Sequence, residues 1–406
     1  MPKQTIDQVE VSGKRVLMRV DFNVPVTGGS IDDDRRIRLA LPSIRSVLDR
    51  AGRLVLMSHM GRPKGVGYEE SESLAICAQR LSDLLGAPVG FPSTDCVDAQ
   101  AAAAVDALAD GEVLLLENLR FHKAEKSGDP GFASRVAAFG DVYCNEAFGT
   151  SHRTDASMYA VPMQMEGKPR VAGLLLTKEI TFLSESLNDP ERPFTAVLGG
   201  AKVADKIPTI EHLIQKTDYI LIGGAMAYTF LQAMGRKVGR SRVEADRLDD
   251  AERILELAAR ESCELRVPRD HVCSTEFSES AGDVKVFEDS IPDGYMGLDI
   301  GARTQDEYRK VISDSKTVVW NGPMGVFEWA PFRDGTQQVA LAIADATTAH
   351  GALTIVGGGD SASAAERFGV ADKVSHVSTG GGASLEMLSG KPFPTLDVLD
   401  ESTANV

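Results

Sequence analysis

Short apolar runs recur along this chain, and each stops abruptly at polar residues or at glycine. The runs in Arg15-Val-Leu-Met-Arg-Val-Asp21-Phe-Asn23, Arg53-Leu-Val-Leu-Met-Ser-His59 and Glu112-Val-Leu-Leu-Leu-Glu-Asn118-Leu-Arg120 end in Arg, Asn, His and Glu. Those in Thr195-Ala-Val-Leu-Gly-Gly200, Tyr219-Ile-Leu-Ile-Gly-Gly224 and Leu353-Thr-Ile-Val-Gly-Gly-Gly-Asp360 end in glycine. Bounded, β-branched runs alternating with helical stretches predict buried parallel strands. In open α/β sheets ligands sit at the carboxyl ends of such strands. The first half therefore presents guanidinium groups to a compact anion, and the second presents bare backbone to a polyphosphate or nucleotide. Two such half-sites on one chain point to group transfer between two bound substrates.

The halves meet near Pro162 and Pro169. Val171-Ala-Gly-Leu-Leu-Leu-Thr-Lys-Glu-Ile-Thr-Phe-Leu183 then has the apolar spacing of a helix packed on most sides, with Pro190 and Pro193 beyond it. This divides the chain into a domain over 1–168, a connecting hinge helix over 169–187, a second domain over 188–389 and a tail over 390–406. The tail, Lys391-Pro-Phe-Pro-Thr-Leu396, is too proline-rich for a helix and too apolar to hang free, so it is expected to pack back on the first domain.

In the anion half, Asp21 and Asn23 share one face of an extended segment, with Val20 and Phe22 opposite and Pro25 ending the strand. Strand-end turn chemistry explains this segment alone equally well. Asp32-Asp-Asp-Arg-Arg36-Ile-Arg38, taken alone, reads as a solvated, Asp-capped helix start more readily than as an anion site. His59-Met-Gly-Arg62-Pro63 says more: it directly follows an apolar strand, with a glycine for close approach. Glu117-Asn-Leu-Arg120-Phe-His122 and Gly149-Thr-Ser-His152-Arg153 repeat the theme. Several arginines at strand ends suit phosphate and carboxylate, which their planar fork matches.

In the nucleotide half, Gly199-Gly200-Ala201-Lys202 leads four residues on to Lys206, a spacing that aims both lysines along one helix face beside a glycine turn. Gly357-Gly358-Gly359-Asp360-Ser361 opens the backbone to a ligand, and its carboxylate and hydroxyl suit Mg²⁺ and phosphate oxygens. Trp320-Asn321-Gly-Pro323 is a rigid turn offering Asn321, with Glu328 placed for a ribose hydroxyl. Thr379-Gly380-Gly381-Gly382-Ala-Ser reads as a glycine-rich helix N-terminus, another anion site. No Walker A loop occurs, and no G-x-G-x-x-G fingerprint does either; the missing fingerprint argues against a nicotinamide dehydrogenase.

Composition narrows the picture. At 406 residues and 43% hydrophobic content the chain can bury two cores. A net charge of −16 argues against nucleic acid or an anionic membrane as partner, so anionic substrates must be held by local cationic clusters. The five cysteines are scattered, without a C-x-x-C pair, as for buried thiols in a reducing compartment rather than a disulfide or zinc framework. Met1-Pro-Lys-Gln-Thr-Ile-Asp7 lacks the apolar core of a signal peptide, so a cytoplasmic location is expected.

Together these motifs resemble the phosphoglycerate kinase family essentially end to end. Arg19-Val-Asp-Phe-Asn-Val-Pro25, His59-Met-Gly-Arg-Pro63, Glu117-Asn-Leu-Arg-Phe121, Gly199-Gly-Ala-Lys-Val203, Trp320-Asn-Gly-Pro323, Gly357-Gly-Gly-Asp360 and Thr379-Gly-Gly-Gly-Ala-Ser384 stand in that family's order. The resemblance implies two Rossmann-like α/β/α domains with parallel sheets joined by a hinge helix. It also implies reversible phosphoryl transfer between 1,3-bisphosphoglycerate and Mg·ADP, giving 3-phosphoglycerate and Mg·ATP, by a monomer. Carried over by motif, Asp21, Asn23, Arg36, His59, Arg62, Arg120, His152 and Arg153 hold the phosphoglycerate. Gly200, Ala201, Lys206, Gly223, Gly224, Asn321, Glu328, Gly357, Gly358, Gly359, Asp360 and Ser361 hold nucleotide, with Asp360 on the metal. Arg36, Lys202, Gly380 and Gly381 act on the transferring group. Asp155 stands where the family often has a second histidine, and no role is assigned to it. A non-catalytic nucleotide-binding regulator on the same fold is the alternative, but it would need a broken anion half.

Overall fold

The computed structural model describes residues 2–402, and its contacts divide into two compact units. One comprises the chain up to Thr181 together with the tail from Pro392; the other runs from Phe182 to Lys391.

The first unit is built on a five-stranded parallel sheet. Its order is Val113–Leu115, Arg53–Met57, Arg15–Arg19, Val142–Asn145, Arg170–Ala172. The central strand is buried on both faces, which is why Val16, Leu17 and Met18 run on without alternation. The helix Arg35–Leu48 buries Ile37, Ala40, Ile44 and Val47, its helical apolar stripe, in one core with Val16, Met18, Leu54 and Leu56. Chain order reverses between the first and fourth strands, where Arg19 and Asn145 are register partners. That reversal opens a crevice at the carboxyl ends.

The tail closes this unit. Phe393 stacks on Phe148 with centroids 6.3 Å apart, and Asp400 pairs with Arg170 at 3.0 Å. Contrary to the sequence expectation, the tail does form a short helix, Pro394–Asp397. Pro394 lies in its first turn, where a missing N–H costs nothing. Residues 403–406 of the tail lie outside the described residues.

The second unit has a six-stranded parallel sheet ordered Glu264–Arg266, Tyr219–Ile222, Phe194–Leu198, Thr317–Asn321, Leu353–Val356, His376–Val377. Chain order again reverses beside the first strand, with Leu198 opposite Asn321. An antiparallel sheet of Val284–Glu288, Asp270–Ser274 and Met296–Ile300 is an addition the sequence pattern did not predict.

The expected helix from Val171 starts later. Arg170–Ala172 pairs with the fourth strand of the first unit, and the helix runs Leu174–Leu183, with the boundary between units inside it. Glu146 sets that start: its buried carboxylate accepts the amides of Leu175 and Leu176 at 3.1–3.2 Å, while Ser43 Oγ accepts that of Leu174 at 2.8 Å. Orphan amides of the first helical turn are thereby satisfied.

Candidate active site

The anion half gathers at the carboxyl ends of the first sheet. The strand stops at Arg19, so Asp21 and Asn23 lie in the extended loop beyond it rather than in the strand, yet the alternation survives: Val20, Phe22 and Val24 are buried. Arg36 Nη1 donates to Asp21 Oδ2 at 3.1 Å and to the Asn23 carbonyl at 3.0 Å. Asn23 Oδ1 in turn accepts the Gly61 amide at 2.8 Å, and Gly61 gives its carbonyl to Arg120 Nη1 at 3.2 Å. Gly61 sits at φ +59°, and a Cβ there would strike the Glu72 carboxylate, so the turn demands glycine.

His59 is the centre of this cluster. Its Nδ1 lies 2.9 Å from Arg19 Nη2. Burial holds its imidazole well below the ordinary 6.5, helped by Arg19, Arg120, Arg153 and Arg36. Four guanidinium groups thus bear on one neutral ring. Arg153 is exposed, its Nε 3.0 Å from His152 Nε2, and Arg62 is exposed ahead of Pro63. Among the described residues, Asp21 Oδ1 and Arg120 Nε are buried polar atoms without a protein partner. Native proteins seldom leave such atoms unpaired, and both suit a ligand bearing hydroxyl and anionic groups.

Two residues here were given no role from sequence. Arg19 is fully buried; its Nε donates to Ser157 Oγ at 2.9 Å, and Ser157 Oγ donates to Glu125 at 2.5 Å. An arginine inside an apolar strand run was the available signal, since a buried guanidinium requires partners. Asp155, given no role above, pairs with Arg120 Nη2 at 3.3 Å, both side chains under 10% exposed.

In the second unit a cavity of about 380 Å³ opens where the sheet order reverses. Gly199, Gly200, Ala201, Lys202, Lys206, Asn321, Gly358, Gly359, Asp360, Ser361, Gly381 and Gly382 line it. The lysines do not share a helix face as the spacing suggested. Lys202 is exposed in the turn, and Lys206 caps the helix Ile207–Ile214. Pro208, in that helix's first turn, keeps the helix from reaching back over Lys202. Burial lowers the Lys206 ammonium to about 8, against the pull of Asp360 and Asp205, and its Nζ donates to the side-chain and main-chain oxygens of Asn321.

Other expected residues stand differently. Ser361 is fully buried and its Oγ accepts the Gly322 amide at 2.6 Å, which commits one of the hydroxyl's two lone pairs to the fold. The Gly380 amide donates to Ser378 Oγ at 3.1 Å, while Gly381 and Gly382 stand at the start of helix Gly382–Leu388, where first-turn amides have no partner within the helix. Gly223, Gly224, Gly357 and Glu328 lie outside the cavity lining. Gly224 donates its amide to the Met324 carbonyl at 2.9 Å, and a Cβ on Gly223 would strike the Met324 side chain; close packing explains both glycines.

Asp360, exposed on the cavity wall as the second residue of helix Gly359–Arg367, is a hard oxygen donor sharing the cavity with the Lys206 ammonium and with glycine backbone. This donor set fits Mg²⁺ brought by a nucleotide, which keeps waters and phosphate oxygens and takes one or two carboxylates.

A profile of the phosphoglycerate kinase family matches residues 6–391. The chain is 55% identical over 405 residues to a phosphoglycerate kinase of Rhodopirellula baltica, covering 99% of this chain and 100% of that one. It is 47% identical over 418 residues to the cytosolic phosphoglycerate kinase of Trypanosoma congolense, with 98% of each covered. The solved phosphoglycerate kinase of Coxiella burnetii matches with TM-score 0.88 at 37% identity, and that of Pyrococcus horikoshii with 0.84 at 31%, each over 98% of both chains. The arginine cluster, the glycine-lined cavity and these likenesses agree, and the chain belongs to the phosphoglycerate kinase family.

Proposed function

We propose that Arg36, Arg62, Arg120 and Arg153, with Asp21, Asn23 and His59, hold the phosphoglycerate, and that Lys202, Lys206, Gly358–Gly359, Asp360, Gly381 and Gly382 hold nucleotide and transferring phosphate. The reaction is reversible phosphoryl transfer from 1,3-bisphosphoglycerate to ADP, giving 3-phosphoglycerate and ATP, a step of glycolysis. Both nucleophiles, carboxylate and β-phosphate, are anionic at neutral pH, so no general base is required. What opposes reaction is bringing anions together, and catalysis is positioning plus charge neutralisation. Arg36 neutralises the transferring group from the substrate side in this reading, and Lys202 with the amides of Gly381 and Gly382 does so from the nucleotide side. Asp360 would hold Mg²⁺, whose chemistry is to neutralise phosphate charge.

The observation that carries this reading is the set of arginines around a neutral His59 in a chain of net charge −16. A nucleotide-binding regulator has no use for it. The enzyme is read as a cytoplasmic monomer that takes no nucleic acid or membrane partner. Among the described residues, no helix is long and apolar enough to cross a membrane. Calorimetric titration of Arg120→Ala tests the division of labour. Affinity for 3-phosphoglycerate should fall while that for Mg·ADP stays; loss of both would refute the assignment.

A further inference from the structure

Away from both half-sites, Asp95, Cys96 and His122 bring a carboxylate oxygen, a thiol sulfur and an imidazole nitrogen within 4.8 Å of one another. His122 Nε2 stands 3.1 Å from Asp95 Oδ2. A tetrahedral zinc ion, with bonds of about 2.0–2.3 Å, needs ligand atoms about 3.3–3.7 Å apart, so small side-chain rotations would close the set.

The ligands are already held. Asp95 Oδ1 accepts the Val97 amide at 2.8 Å, which fixes the carboxylate and leaves Oδ2 turned to His122. The imidazole lies against Phe132, centroids 5.2 Å apart. Cys96 is 1% exposed, while the other two side chains are partly open, so an ion could arrive from solvent and keep a water in its fourth position. Such orientation of ligands by surrounding contacts is what functioning metal sites share.

We propose that Asp95, Cys96 and His122 form a binding site for a single zinc-like divalent cation, separate from the nucleotide-borne Mg²⁺. Binding replaces the Cys96 S–H with a sulfur–metal bond and releases the proton to water. The mixed sulfur, nitrogen and oxygen set selects borderline-soft ions; Mg²⁺, which demands oxygen ligands, is excluded. The site ties the segment around Asp95 to His122, two residues beyond Arg120, and so steadies the turn from which Arg120 reaches Gly61.

Cobalt is the probe. The chelator-stripped full chain, titrated with Co²⁺ in the presence of millimolar Mg²⁺, should develop a thiolate-to-cobalt charge-transfer band that saturates at one equivalent. Zn²⁺ should bleach it and raise the thermal unfolding midpoint. Cys96→Ser should abolish the band. His122→Gln and Asp95→Asn, at partly exposed positions, should each weaken cobalt affinity by more than about tenfold. No band in the wild type, or a band that persists in Cys96→Ser, would overturn the proposal. So would cobalt binding unaffected by both His122→Gln and Asp95→Asn, which also covers the case of a Cys96→Ser chain that fails to fold.

Discussion

His59 Nδ1 lies 2.9 Å from Nη2 of Arg19. A guanidinium only donates, so Nδ1 must accept, and the ring is neutral with its proton on Nε2. That proton is then available to an anionic ligand, with no charge to lose near neutral pH. Buried positive charge at this end of the sheet is carried by Arg19, which Ser157 and Glu125 hold in place, and by Arg120, which pairs with Asp155.

The neutral histidines give the fold an acid limit. Burial, with nearby arginines, holds His59 well below 6.5, and burial lowers His271 to about 4. Between folded and unfolded values the unfolded chain binds more protons. Stability is therefore fully present above pH 6.5 and is lost as pH falls, by up to about 1.4 kcal/mol per pH unit for each group. Urea unfolding of wild type and His271→Gln at several pH values between about 7.5 and 5 should show the shallower decline in the variant. Parallel curves would mean that folded His271 takes up its proton as readily as in the unfolded chain.

Arg36→Ala should lower kcat by about 100-fold or more, the usual cost of removing one donor that meets developing charge, with Mg·ADP affinity unchanged. Arg36→Lys should also fail substantially, because the point charge of an ammonium cannot reproduce the planar fork that meets phosphate oxygens in pairs. Retention of more than about a tenth of wild-type kcat in Arg36→Ala, a loss under 1.4 kcal/mol, would contradict the assigned role.

Asp155→Ala leaves the Arg120 guanidinium buried without its carboxylate. Breaking a buried pair from one side costs about 3–5 kcal/mol, so the unfolding midpoint should drop clearly. An anion can compensate the stranded charge, so 3-phosphoglycerate should raise the midpoint more in the variant than in the wild type. Equal ligand-induced shifts would show that Arg120 does not face the substrate.

Asp360→Asn should raise the Mg²⁺ concentration needed for half-maximal activity and weaken Mg·ADP binding, leaving 3-phosphoglycerate binding intact. The carboxylate is the residue's only strong metal donor, and the amide that replaces it is neutral. An unchanged Mg²⁺ midpoint would move the metal elsewhere.

The legible parts of this protein were local. Apolar runs ending in Arg or Gly placed the strand ends, because buried parallel strands carry their pattern within a few residues. The half-sites were legible for the same reason, since His59, Gly61 and Arg62 follow one strand and Gly358 to Asp360 another. What escaped reading depends on distant partners. Asp155 gains its role only from Arg120, and Ser361 is tied into the fold by the Gly322 amide, 39 residues away. The Arg170–Ala172 strand hid within a helical pattern because pairing with the fourth strand of its sheet overrides local spacing. Val284–Glu288, largely exposed, carries too little burial to announce a strand.

The central claim is that the arginine cluster and the glycine-lined cavity together perform phosphoryl transfer. It is tested most directly by supplying 3-phosphoglycerate and Mg·ATP to the purified chain and following 1,3-bisphosphoglycerate through a coupled reduction. Turnover should require both substrates and Mg²⁺ and collapse in Arg36→Ala. Tight binding of Mg·ATP with no turnover above the enzyme-free rate would contradict the account and leave a nucleotide-binding protein in place of a kinase.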